Sequence, residues 1–76
     1  EQLINLQLLD LSGNMIKKIP SEIGQLISLE LFDLSRNNVT AIPKEIRQLL
    51  NLQSISLYRN KITEIPIEVY SAHIHL

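Results

Sequence analysis

The amino-acid sequence predicts an α/β solenoid of about three 23-residue units, with a short parallel sheet on its concave side and short helical or 3₁₀ turns on its convex side. Three observations carry this. Leu6-Gln7-Leu8-Leu9-Asp10-Leu11-Ser12-Gly13-Asn14 returns as Leu29-Glu30-Leu31-Phe32-Asp33-Leu34-Ser35-Arg36-Asn37, and again as Leu52-Gln53-Ser54-Ile55-Ser56-Leu57-Tyr58-Arg59-Asn60, each time 23 residues on. A second segment keeps the same offset: Ile19-Pro20-x-Glu22-Ile23, Ile42-Pro43-x-Glu45-Ile46 and Ile65-Pro66-x-Glu68-Val69. All three prolines of the chain therefore occupy one repeat position. A fixed period of this kind marks stacked units that bury a continuous core no single unit could bury alone.

Each element of the unit has a physical reason. Alternation at period two predicts strands at about Leu8–Ser12, Leu31–Ser35 and Ser54–Tyr58, sending Leu9 and Leu11, Phe32 and Leu34, Ile55 and Leu57 into the core. Asn14, Asn37 and Asn60 follow the strands, where an amide can satisfy backbone groups across the turn and form a ladder through the stack. Ile16, Val39 and Ile62 then re-enter the core, followed by Ile19, Ile42 and Ile65. Pro20, Pro43 and Pro66 suit the first position of a helical turn, where no amide donor is needed. Glu22, Glu45 and Glu68 lie in that first turn, where the helix dipole favours negative charge. Ile23, Leu26, Ile46, Leu49 and Val69 close the core from the outer side. The stack is expected to be right-handed, with Leu11, Leu34 and Leu57 among its most buried side chains.

Residues 1–76 form one repeat segment, with units at about 6–28, 29–51 and 52–76. Neither end carries the polar, atypical repeat that normally covers exposed framework, so the segment is expected to belong to a longer array and to associate through uncapped ends. The period breaks near the C-terminus: Ala72 falls where Leu26 and Leu49 stood, and His75 where Leu29 and Leu52 stood. A divergent or capping unit, an insertion that resets the frame and the approach to another domain all fit this break. A net charge of −1 leaves no electrostatic footprint for nucleic acid or an anionic membrane. No apolar stretch approaches the roughly 18–20 residues of a membrane span. The absence of cysteine favours a reducing compartment.

The unit N-x-I-x-x-I-P-x-E-I-x-x-L, over residues 3–69, resembles the Ras-group, intracellular type of leucine-rich repeat. That group includes the Ras-binding scaffold that recruits a protein phosphatase, the Ras-suppressor protein, the Roco-type kinases and the plant intracellular Ras-group proteins. The plant receptor-kinase type differs by an extra residue and a glycine between Asn and Ile-Pro, absent here from Asn14 to Ile19. The resemblance implies a cytoplasmic protein–protein interaction module of the scaffold or signalling kind, without catalysis or cofactor.

The residues themselves offer no catalytic constellation. There is no cysteine nucleophile and no phosphate-binding glycine loop. His73 and His75 could share a strand face, but two imidazoles without a third ligand nearby in sequence do not make a metal site. The glutamates at the turn starts are explained by the helix dipole. Asn38-Val39-Thr40 matches the N-glycosylation triplet, which arises often by chance.

The informative residues face outward from the strands, because the core does not dictate them. They form rows across the concave face, about 4.8 Å from strand to strand: Leu8/Leu31/Ser54, Asp10/Asp33/Ser56, Ser12/Ser35/Tyr58 and Gly13/Arg36/Arg59. Tyrosine and arginine are enriched at interface hot spots, and Leu8 and Leu31 are apolar side chains expected in solvent. Asp10, Asp33, Ser35, Arg36, Ser56, Tyr58 and Arg59 are therefore the candidate partner-binding residues. Lys17, Lys18, Lys44 and Arg47 are scattered over turn positions and look like solubilising charge. Three functional readings follow: an interaction module binding a protein on its concave face; the recognition segment of a multidomain signalling enzyme, such as a Roco kinase or a ubiquitin ligase; and a secreted or cell-surface array carrying a glycan on Asn38.

Overall fold

The computed structural model describes residues 5–64 and 74–75. Strands β1 (Leu8–Asp10), β2 (Leu31–Asp33), β3 (Ser54–Ser56) and β4 (Ile74–His75) make one parallel sheet in chain order. Register follows the repeat: Leu8 pairs with Leu31 and Leu31 with Ser54, Asp10 with Asp33 and Asp33 with Ser56. Two five-residue 3₁₀ turns, Ser21–Gln25 and Lys44–Gln48, connect β1 to β2 and β2 to β3.

The core joins the two layers. Phe32, Leu34, Ile55 and Leu57 from the strand segments pack in one buried cluster with Ile23, Ile46 and Leu49 from the turns. Leu29, Leu52, Val39, Ile19 and Ile42 complete it between the layers. A 3₁₀ turn has three residues per turn, so side chains three apart share a face. The i→i−3 bonds of the first turn run Ile23 to Pro20, Leu26 to Ile23 and Leu29 to Leu26, at 3.0–3.1 Å, and thereby aim Ile23, Leu26 and Leu29 at one core. The turns lie close together at Gly24, which is buried; a Cβ there would come within 3.0 Å of the Glu45 carbonyl oxygen and collide with the Gln48 amide.

Several expectations are corrected. The strands stop at Asp10, Asp33 and Ser56, two residues early. In the first two units side-chain bonds accompany the bend: the Ser12 amide and hydroxyl donate to Asp10 Oδ1 at 3.0 and 2.7 Å, and the Ser35 amide donates to Asp33 Oδ1 at 2.9 Å, while β3 ends at the same repeat position on a serine. Such side-chain turns bend the backbone out of the pleat. Gly13, Arg36 and Arg59 then adopt positive φ, 72°, 60° and 60°. Inter-unit bonding continues past the bend, with Gly13 N–H donating to the Ser35 carbonyl and Arg36 N–H to the Tyr58 carbonyl.

Pro20 and Pro43 precede the 3₁₀ turns instead of opening them, with extended angles (φ −70°, ψ 153°; φ −69°, ψ 149°). The proline ring's fixed φ suits an extended residue as well as a helical one, and the carbonyls accept the first turn bonds from Ile23 and Ile46. Leu34 and Leu57 are nearly inaccessible as expected, whereas Leu11 is only half-buried because β1 has a strand neighbour on one side alone among the described residues. Leu26, Ile16 and Ile62 likewise pack on the core while keeping part of their surface in solvent. Glu22 and Glu45 lie in the first turns as expected. The expectations for Ile65, Pro66, Glu68, Val69, Ala72 and His73 lie outside the described residues.

The asparagine ladder forms as the repeat requires. Asn37 donates to the carbonyls of Leu11, Leu34 and Ser35 (3.0, 2.9 and 3.2 Å), and its Oδ1 accepts from Ile16 N–H (3.0 Å). Asn60 repeats this on Leu34, Leu57 and Tyr58, accepting from Val39 N–H. One side chain thus closes its own turn and ties it to the preceding unit.

The break at the C-terminus is a shortening. Ser56 pairs with His75 and Ile55 with Ile74, a step of 19 residues where the earlier steps are 23. His75 consequently falls in the Asp10/Asp33/Ser56 row, four residues ahead of the position a constant period assigns it.

Candidate functional site

The outward face of the sheet is built by register alone. Strand pairing places Leu8 beside Leu31 and Ser54, and Asp10 beside Asp33, Ser56 and His75. Leu8, Asp10, Leu31, Asp33, Ser54 and Ser56 line one shallow hollow on this face. Leu8 keeps 58% and Leu31 43% of its surface exposed, so the hollow has an apolar border against its acidic row.

The candidate set divides in two. Asp10, Asp33 and Ser56 line the hollow. Ser35, Arg36, Tyr58 and Arg59 follow the strands, at the C-terminal margin of the same face. Arg36 and Arg59 are exposed and belong to tight turns, which corrects the expectation that they face outward from the strands themselves. Left-handed geometry at a residue with a Cβ is unfavourable, and the first unit carries glycine there. Tyr58 is 51% exposed, with its ring 6.5 Å from the His75 imidazole and inclined by 46°. His75 is a concave-face residue that sequence reasoning missed, since its place depends on the shortened connection. Leu8, Leu31 and Ser54 also belong to the hollow, and only their row in the repeat alignment signals it.

Electrostatically the face is banded. In the first two units the order is apolar (Leu8, Leu31), acidic (Asp10, Asp33) and hydroxyl (Ser12, Ser35). In the third Ser54, Ser56 and Tyr58 take these places, and the second and third units end on a base (Arg36, Arg59). The Ser12 hydroxyl and then the Ser12 amide hold the Asp10 carboxyl below its ordinary value of 3.8, burial opposing only weakly. The Asp10 carboxylate is therefore anionic at neutral pH, and its two bonds to Ser12 fix its direction.

Elsewhere, Ile27 and Leu50 are exposed and aligned one repeat apart, just after the two 3₁₀ turns. Lys17, Lys18, Lys44 and Arg47 are exposed. Asn38 is half-buried, and its amide N–H donates to the Ile16 carbonyl. Among the described residues no group of three or more His, Cys, Asp or Glu side chains is placed to hold a metal ion. No helix among them is long and apolar enough to cross a membrane.

Comparison with known proteins agrees with this architecture. Residues 4–44 match the family described as leucine-rich repeats in two copies, and residues 51–71 match the single leucine-rich repeat. A leucine-rich-repeat protein of Leptospira interrogans is similar in structure, with a TM-score of 0.81 and 51% sequence identity over 83% of this chain. The chain spans 16% of the length of that protein. Among curated protein sequences none matches the chain.

Proposed function

Because the chain belongs to the leucine-rich-repeat family, whose repeats are generally protein–protein interaction modules, we propose that it binds a partner protein on its concave face across β2 and β3 and carries no catalytic step. Tyr58 is the observation that carries this reading. It is a half-exposed aromatic in a row whose other members are serines, at a position the core does not dictate. Arg36 and Arg59 stand beside it in a backbone geometry that costs stability, which is the kind of feature kept for function. In this reading Tyr58 anchors the partner and the two arginines read an acidic or carbonyl-rich surface. Asp10 and Asp33 act mainly on partner choice and encounter rate, as charges at the border of an interface do. Ser35 and Ser56 leave room for the partner between these groups.

Photocrosslinking tests the surface while the partner is still unidentified. A photoreactive phenylalanine replaces Tyr58 in one full-length sample and the convex Lys44 in another, and each is irradiated in extract of the source cell. A discrete protein adduct from position 58, competed by unlabelled protein, is the expected result. Equal adducts from both positions, or adducts from position 44 alone, contradict the reading.

A further inference from the structure

The bands of the concave face have a spacing as well as a sign. We propose that the element docked there is an α-helix lying across the strands, with acidic side chains at i and i+3 on the flank that meets Arg36 and Arg59 and basic side chains on the flank that meets Asp10 and Asp33. This rests on the concave-face reading above and narrows it to one partner chemistry.

Three features of the sheet carry it. Equivalent residues of successive units follow the strand spacing, about 4.8 Å. A helix advances about 5.4 Å per turn, so its successive turns miss the repeat by only roughly 0.6 Å each. An extended segment laid the same way presents same-side residues about every 6.6 Å and misses by roughly 1.8 Å per unit. Across three units, which are two steps, the helix drifts by about 1.2 Å and the extended chain by about 3.6 Å, three-quarters of the strand spacing. One partner turn per repeat therefore lets side chains at i and i+3, about 4.5 Å apart along the axis, meet Arg36 and Arg59 in succession, since residues three apart are neighbours on a helix surface.

The second feature is width. Arg36 follows Asp33 by three residues, a separation of no more than about 10 Å at roughly 3.3 Å per residue. A helix with its side chains is about 10–12 Å across, so one helix can touch both charged bands at once. The third feature is the floor between the bands. Ser12 and Ser35 are small and half-buried, so the row stands low over the first two units, and Tyr58 rises from it at the third. Leu8 and Leu31 lie beyond the aspartates, where the aliphatic stems of partner lysines or arginines would rest while their heads reach Asp10 and Asp33.

The test is a selection against the full-length chain with two phage-displayed libraries. One is built on a helical scaffold with randomised surface positions, and the other on segments held extended by proline. The expected outcome is enrichment from the helical library of clones with acidic residues at i and i+3, whose affinity falls at least tenfold against Arg36→Glu with Arg59→Glu. Clones drawn mainly from the extended library, or acidic at alternate residues, overturn the proposal. Helical clones indifferent to the arginine reversal but weakened by Tyr58→Ala overturn the charge-paired helix and leave concave docking standing. Clones indifferent to every concave substitution overturn both.

Discussion

Asp10 shows how one residue can serve the turn and the surface together. Its carboxylate accepts from the Ser12 hydroxyl and amide, and those bonds favour the charged form. The folded-state value is depressed, so the resulting stability is present above the unfolded value of 3.8 and is lost as pH falls through the folded one. Ser12→Ala is expected to move the Asp10 titration back up toward its ordinary value, as NMR of the carboxyl carbon would report. An unmoved titration would mean that the hydroxyl contact is not held in solution. Asn37 offers a contrast in burial: it closes four hydrogen bonds and is almost inaccessible, whereas Asn14 makes two bonds and is exposed. Leaving buried polar groups unpaired costs about 1–3 kcal/mol each. Asn37→Ala is therefore expected to lower unfolding stability by about 2–3 kcal/mol, and Asn14→Ala by less than about 1 kcal/mol. Equal losses in urea denaturation would contradict the ladder.

At the scale of elements, the bend after each strand matters most. The strands were legible in the sequence because alternation places Leu9, Phe32 and Ile55 opposite one another. Their early ends were harder to see, since a serine two residues after an aspartate is compatible both with a continuing strand and with a side-chain turn. Only the hydrogen bonds decide between the two. Arg36 and Arg59 were legible as outward residues but not as left-handed ones; Gly13, at the same repeat position, was the available signal. Replacing Arg36 by glycine removes the Cβ penalty, about 1–2 kcal/mol, and gives back part of it through a freer unfolded chain. Arg36→Gly is expected to raise stability by about 1 kcal/mol in thermal or chemical unfolding while weakening partner binding. A loss of stability would mean that the arginine side chain supports the turn. The proline offset has a similar origin: φ near −70° fits the position before a 3₁₀ turn and the position inside it equally.

The whole molecule behaves as a stack, and position in the stack sets the value of each unit. Leu34 has a strand segment on each side and is 1% exposed, while Leu11, one repeat earlier, stays half-buried. Leu34→Ala is expected to cost about 2–5 kcal/mol, the range for a large-to-small change in a packed core, and Leu11→Ala distinctly less. Matching losses would mean that the units do not depend on their neighbours. The period of 23 made the architecture, the register and most concave rows legible in the sequence. It could not place His75, because the step to β4 is four residues short and no repeated residue marks the change. The most direct measurement of the concave-face claim is the affinity of the full-length protein for the partner identified by crosslinking. Tyr58→Ala with Arg36→Ala is expected to weaken it by at least about 2 kcal/mol, the scale of an interface hot spot, and Lys17→Ala with Lys44→Ala to leave it unchanged. An unchanged affinity in the folded concave variant would contradict the account and assign these repeats to spacing the true binding units apart.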